Sequence, residues 1–323
     1  MRMGSPTRRS LADRLFRIPG PNRKPAAGPL TPEQQVCRAR LEGHVRALAE
    51  VIGERHLDRA GSLAATVEYL EARLSDLGLQ VHRECFGPPG RASENIAVEI
   101  PGGGADDAVV IVGAHYDTVV GSPGADDNAS GVAALLELCR AAAGMKPSRT
   151  LRFVFFANEE RPFSQTVGMG SEVCAQGCGE RGENVAAMVA LDGLACFSQE
   201  PDSQDYPFPL SLLYPSTADF IGVVGNPASR NLVRKVCGAF RRCGAVPSQG
   251  AILPALFRDA ARSDHHSFWA CGYRAVLVTD TLPFRYAHYH RAEDVPEKLD
   301  FDSFTGVIDG LVQVVVDLAG ADQ

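Results

Sequence analysis

Apolar residues in this chain fall into two kinds of pattern. From Pro32 to Ile52 and from Gly61 to Leu77 they recur at helical spacing. The same spacing returns in Val132, Leu135, Leu136 and Cys139, on a helix running to Ala143, and in Phe304, Ile308, Leu311, Val315 and Leu318. By contrast, Ala108 to Gly113, Thr150 to Ala157, Ala186 to Leu191 and Ala275 to Thr279 are short and almost continuously apolar. Strands covered on both faces read this way. Leu79 to Cys85 and Asn95 to Ile100 predict two more strands, the second ended by Pro101 and a glycine triplet. Strands alternating with helices predict an α/β sandwich around a largely parallel sheet.

Composition adds limits. The 323 residues are 45% hydrophobic and 22% charged, a globular balance long enough to bury a core without disulfide or metal staples. Lys and Arg number 32 against 39 Asp and Glu, a net charge of −7 that argues against nucleic-acid and anionic-membrane partners. The charge is uneven: residues 1–30 hold seven basic side chains against Asp13 alone, so this stretch is +6 and the remainder −13. With six prolines from Pro6 to Pro32, residues 1–30 read as a flexible basic tail and residues 31–323 as one domain. A transit-like or membrane-touching segment is the sharper alternative for the tail, resting on the short amphipathic stretch Leu11 to Ile18. No apolar run approaches the ~18 residues that span a bilayer, and no signal-peptide core follows the arginines. Nine cysteines without a Cys-x-x-Cys pair fit reduced thiols, so the expectation is a soluble cytoplasmic protein. Cys174 and Cys178 read as buried or idle thiols, with a bridge or shared metal as the alternative.

In α/β folds ligands bind at the carboxyl ends of the strands. There the sequence places His115-Tyr116-Asp117, Asn158-Glu159-Glu160, Asp192, and Asp280 leading to His288 and His290. Asp126-Asp127-Asn128 joins them from the loop that opens the Val132 helix. Singly, each acid is a turn or cap residue and His115 a core histidine. Together they put more carboxylates on one rim than Arg161, Arg285 and Arg291 can neutralise. Metal ions supply that charge, and imidazole with carboxylate favours zinc or a similar transition metal.

The segments Gly113-Ala114-His115-Tyr116-Asp117-Thr118 and Gly124-Ala125-Asp126-Asp127-Asn128-Ala129-Ser130-Gly131, the pair Glu159-Glu160, Ala190-Leu191-Asp192 and Tyr289-His290 resemble the di-zinc aminopeptidase family in residue type and order. The similarity extends over about residues 35–320. It implies a three-layer sandwich with a central mixed, largely parallel sheet, and two zinc ions per chain. Asp127 would bridge both ions, His115 and Asp192 completing one site, Glu160 and His290 the other. Glu159 matches the general base, which takes a proton from the attacking water and returns it to the leaving amine. The implied substrate is a peptide with a free N-terminus. Asp117, two residues beyond His115 on an extended chain, is expected to accept the imidazole's other N–H. Asp264 resembles a family position near the catalytic network, with a helix N-terminal role as the alternative. Tyr206, Phe208 and Tyr214, within Cys196 to Pro215, are candidates for the side-chain pocket.

The loop Arg161 to Met169 is longer than the family's, and Gly193 and Arg291 stand where a bulkier and a small hydroxyl residue are common. None replaces a ligand; all bear on pocket shape. Glutaminyl cyclases share the arrangement with a single zinc and are the first competing reading. A catalytically silent binding module of the same fold is the second. Neither a Gly-x-Ser-x-Gly elbow nor a His-Glu-x-x-His motif occurs.

Overall fold

A computed structural model describes residues 16–18, 28–105, 107–254 and 257–321. Among the described residues nine strands form one sheet: β1 (Arg17–Ile18), β2 (Val81–Phe86), β3 (Ser93–Ile100), β4 (Val109–His115), β5 (Thr150–Phe156), β6 (Val185–Leu191), β7 (Ile221–Gly225), β8 (Ser248–Ile252) and β9 (Ala275–Thr279). Their order is β1-β8-β7-β9-β6-β4-β5-β3-β2. The centre, β5-β4-β6-β9, is parallel, while β3 joins β5, and β7 joins β9, in antiparallel fashion. The sheet is therefore mixed around a parallel centre, the part that the apolar runs and the resemblance imply.

Helices cover both faces. Side chains alternate along β4: Val110, Val112 and Ala114 enter the larger core, and Val109 and Ile111 the smaller one. The larger core receives α1 (Pro32–Arg46), α2 (Ser62–Ser75), α3 (Gly131–Ala142), α5 (Arg230–Cys243) and α7 (Phe301–Ala319). The smaller receives α4 (Gly170–Glu180) and the short α6 (His265–Ala270). Local chemistry sets the ends. Thr31 and Gln34 close a reciprocal capping box on α1, and Asp300 accepts from the backbone N–H groups of Asp302 and Ser303 to start α7. Gly113 lets β4 pass its neighbour, since a Cβ there would stand 2.2 Å from the Phe156 ring.

Three strands escape the sequence pattern: β1, β7 and β8. Within the stretch expected as a flexible tail, Arg17 and Ile18 pair with β8, and Ile18 is buried in the larger core. Residues 1–15 and 19–27 of that tail, including most of the Leu11 to Ile18 stretch, lie outside the described residues. Among the described residues no helix is long and apolar enough to cross a membrane. Cys174 and Cys178 are buried free thiols of α4.

Candidate metal centre

Every implied ligand arises from a strand end or the loop after it. His115 ends β4, Asp192 follows β6 directly, and Glu159-Glu160 follow β5 across Asn158. Asn158 is held at φ 61° and His290 at φ 59°, left-handed conformations uncommon for residues other than glycine. Asn158 is fixed there by bonds from its amide to Ser93 Oγ at 2.9 Å and the Gly168 carbonyl at 3.2 Å.

The five residues meet as two triads sharing Asp127. His115 Nε2 lies 3.4 Å from Asp127 Oδ1 and 3.4 Å from Asp192 Oδ1. His290 Nε2 lies 3.0 Å from Asp127 Oδ2 and 3.1 Å from Glu160 Oε1. Each imidazole thus faces a different oxygen of the same carboxylate. Four ligands at about 2.0–2.1 Å around a tetrahedral ion stand about 3.3 Å apart, so these separations match the edges of zinc coordination shells. The donor set fits two such ions.

Charge in the cluster is out of balance without them. Burial pushes Glu159 up, and the carboxylates of Glu160, Asp192 and Asp264 push it further against the opposing pull of His115. Burial and Asp127 raise Glu160 to about 7. Burial also pushes Asp127 up, but His115 and His290 outweigh it and hold its carboxyl well down. Desolvation disfavours charge on His290, yet Asp127 and Glu160 lift it to about 10. The cluster draws positive charge to itself.

Asp117 is placed beside His115, with a contact different from the expected one. His115 Nδ1 is 3.2 Å from the Asp117 backbone carbonyl and 3.7 Å from its carboxylate. The carboxylate instead accepts the backbone N–H groups of Glu159 and Glu160, each at 3.0 Å. Two strong donors one residue apart outcompete a single imidazole N–H, so Asp117 holds the Glu159-Glu160 turn. Asp264 is fully buried before α6 and caps nothing, and neither of its oxygens has a hydrogen-bond partner among the described residues. Burial raises it to about 7 despite the nearby His115.

Two residues that hold the site escape the sequence argument. The Asp294 carboxylate accepts from the backbone of Asp126 at 2.8 Å and Asp127 at 3.2 Å, and from the Tyr286 hydroxyl at 2.9 Å. Arg55, with no exposed surface, donates to the carbonyls of Tyr116, Leu48, Gly53, Pro123 and Gly124. Burial lowers its guanidinium to about 10 against the pull of Asp294, Asp117 and Asp127. Both act on backbone, and backbone demand leaves no spacing to read in side chains. Asp126 also turns inward, accepting from the N–H groups of Leu194 and Ala195. Asp280 holds the Cys196 and Leu282 backbone. His265 bonds the Ala260 carbonyl at 2.8 Å, outside the ligand set.

Beside the triads opens a cavity of about 320 Å³, reaching Asp192 and Tyr289 at one end. Its lining includes Tyr206, Phe208 and Tyr214, with Leu210, Leu253 and Leu282. Gly193, next to Asp192, stands at φ 62°, and a Cβ there would overlap Leu282 of the lining at 2.4 Å.

Residues 95–315 match the model of Peptidase family M28. The chain belongs to peptidase family M28. An uncharacterised Escherichia coli protein, YfbL, is 33% identical over 296 residues, 89% of this chain and 90% of that one. A probable leucine aminopeptidase of Trichophyton verrucosum is 30% identical over 224 residues, 64% of this chain and 52% of its own length. The M28 chain thus spans about half of that relative. Among solved structures, the zinc aminopeptidase BSAP of Bacillus subtilis superposes with a TM-score of 0.70 at 15% identity, over 88% of this chain and 95% of that one. A glutaminyl cyclase of Fimbriiglobus ruber superposes at 0.62 and 21% identity, over 92% of this chain and 99% of that one. These neighbours share the sandwich fold. Family membership makes metal-dependent peptide hydrolysis the chemistry of this M28 chain, and zinc suits its donors.

Proposed function

We propose that this M28 chain removes N-terminal residues from peptides, using two zinc ions held by His115, Asp127, Glu160, Asp192 and His290. The observation that carries the reading is the pair of triads facing opposite oxygens of Asp127. Bound there, the ions supply Lewis acidity that polarises the scissile carbonyl and makes water nucleophilic at neutral pH.

The chain's own residues do the rest. Glu159, buried one residue before the ligand Glu160, accepts the proton of the attacking water and returns it to the leaving amine. Asp117 fixes where that carboxylate stands by gripping its backbone and that of Glu160. Glu159 and Glu160 also offer negative charge to a substrate's free amino group, while the apolar cavity beside Asp192 receives the first side chain. Asp264 contributes its field from the buried side, raising Glu159 further.

Against a glutaminyl-cyclase reaction with one zinc, the pair Glu159-Glu160 after Asn158 and the full Gly-Ala-Asp-Asp-Asn-Ala-Ser-Gly loop from Gly124 to Gly131 favour the peptidase reading. The deciding experiment is Glu159→Ala with the metals measured. It should keep two zinc ions per chain and lose about 10²–10⁴ in turnover of unblocked aminoacyl substrates. Retained turnover removes Glu159 as the base, and equal cleavage of blocked substrates removes the exopeptidase reading.

A further inference from the structure

The cavity beside the metal centre crosses the sheet. Leu277 and Thr279 of β9, Gly222 and Val224 of β7, and Gln249 and Ala251 of β8 line it, on three adjacent strands. At about 4.8 Å between strands this floor extends about 10 Å, room for an aromatic side chain. Gly222 keeps it clear, since a Cβ there would stand 3.1 Å from the Thr279 carbonyl oxygen.

The next strand is β1. Arg17 pairs with Ala251 and Ile18 with Gly250, and the Ile18 carbonyl accepts from Arg241 at 3.1 Å. The Tyr214 hydroxyl lies within donating reach of the Phe16 carbonyl at 3.1 Å and of Gly250 at 3.2 Å. The Arg17 guanidinium stands 5.9 Å from the centre of the Tyr214 ring, and its Nη2 reaches Gln249 Oε1 at 3.4 Å. Its buried Nε has no hydrogen-bond partner among the described residues. Phe16 packs on the cluster of Leu210, Leu253 and Ala260, as Tyr206 and Tyr214 do. Phe16, Arg17 and Ile18 lie outside the 95–315 family match, and the residues they touch lie inside it.

We propose that Phe16–Ile18 braces the far end of the substrate pocket. Arg17 is a positioning residue: by holding Tyr214 and Gln249 in place it keeps the pocket open to long aromatic N-terminal side chains. The proposal rests on the aminopeptidase reading above.

The test uses the full, zinc-loaded chain and compares Arg17→Ala and Arg17→Lys with wild type on phenylalanine and alanine p-nitroanilides. One mobilised side chain corresponds to about a fivefold change. Arg17→Ala should lower the phenylalanine-to-alanine preference about fivefold, through KM rather than kcat, and Arg17→Lys should recover part of it. An unchanged preference overturns the brace. If wild type cleaves neither substrate, the aminopeptidase reading fails, and affinity for 4-phenylbutylamine against butylamine tests the brace by itself. Arg17→Ala should narrow that affinity ratio about fivefold, and an equal ratio overturns the proposal.

Discussion

The two triads around Asp127 differ in how they meet water. His115, Asp127 and Asp192 are 0%, 4% and 6% exposed. Their partner triad ends in His290, whose side chain is 34% exposed. His115 belongs to a strand paired on both sides, whereas His290 sits in a loop at positive φ. A ligand on a central strand loses little further freedom on binding a metal, and a ligand on a loop loses more. In the proposed two-zinc centre, the Asp127 carboxylate would join a rigid, dry site to a softer, wetter one.

The largest break is at the shared residue. Asp127→Ala removes an oxygen from both triads, so metal analysis should find both zinc ions lost together and hydrolysis absent. Two tightly bound ions in that variant remove Asp127 as the bridge. His290→Ala comes next, since it should cost only the exposed site. One zinc per chain should remain, and activity should fall by more than the about 10- to 100-fold typical of losing only an outer contact of a metal site. Loss of both ions contradicts the ranking of the two sites.

Much of this centre was legible because strand ends carry it. Four apolar runs located β4, β5, β6 and β9, and the acids and His115 follow where those runs stop. The strands β7 and β8 were not legible, because Gly222, Gly225, Ser248 and Gly250 contribute little apolar surface of their own. Their neighbours supply it: a Cβ on Gly225 would meet Val233 at 2.4 Å, and one on Gly250 would meet Cys237 and Ile18, each at 2.8 Å. Nor was β1, a two-residue strand in a basic, proline-rich stretch. The support of Asp294 and Arg55 was hidden for another reason: both bind backbone, which every sequence offers everywhere. Asp117 shows the same limit. Its position on one face with His115 was readable, but its commitment to the backbone of Glu159 and Glu160 depends on how the loop after β5 returns.

Burial acts on stability as well as on the metal centre. His44 and His265 are buried, and desolvation lowers each to about 4. In His115, equally buried, the carboxylates of Asp192, Asp117 and Asp127 overcome desolvation and raise it. For His44 the folded value lies below the ordinary 6.5, so below pH 6.5 the unfolded chain takes up a proton that the folded chain refuses. Stability is therefore lost as pH falls from 6.5 toward about 4, by up to roughly 3 kcal/mol for this one group. His44→Gln, which can still meet the Tyr69 hydroxyl, should flatten that loss in denaturant unfolding of the metal-free chain. An unaltered pH slope would show that His44 titrates alike in both states.

The central claim is that one buried carboxylate joins two metal sites of unequal exposure. Calorimetric titration of the metal-free chain with zinc, with hydrolysis of an unblocked aminoacyl substrate followed alongside, tests it most directly. Two equivalents should bind, the first more tightly, with full activity only after the second. Saturation of both binding and activity at a single equivalent would contradict the account.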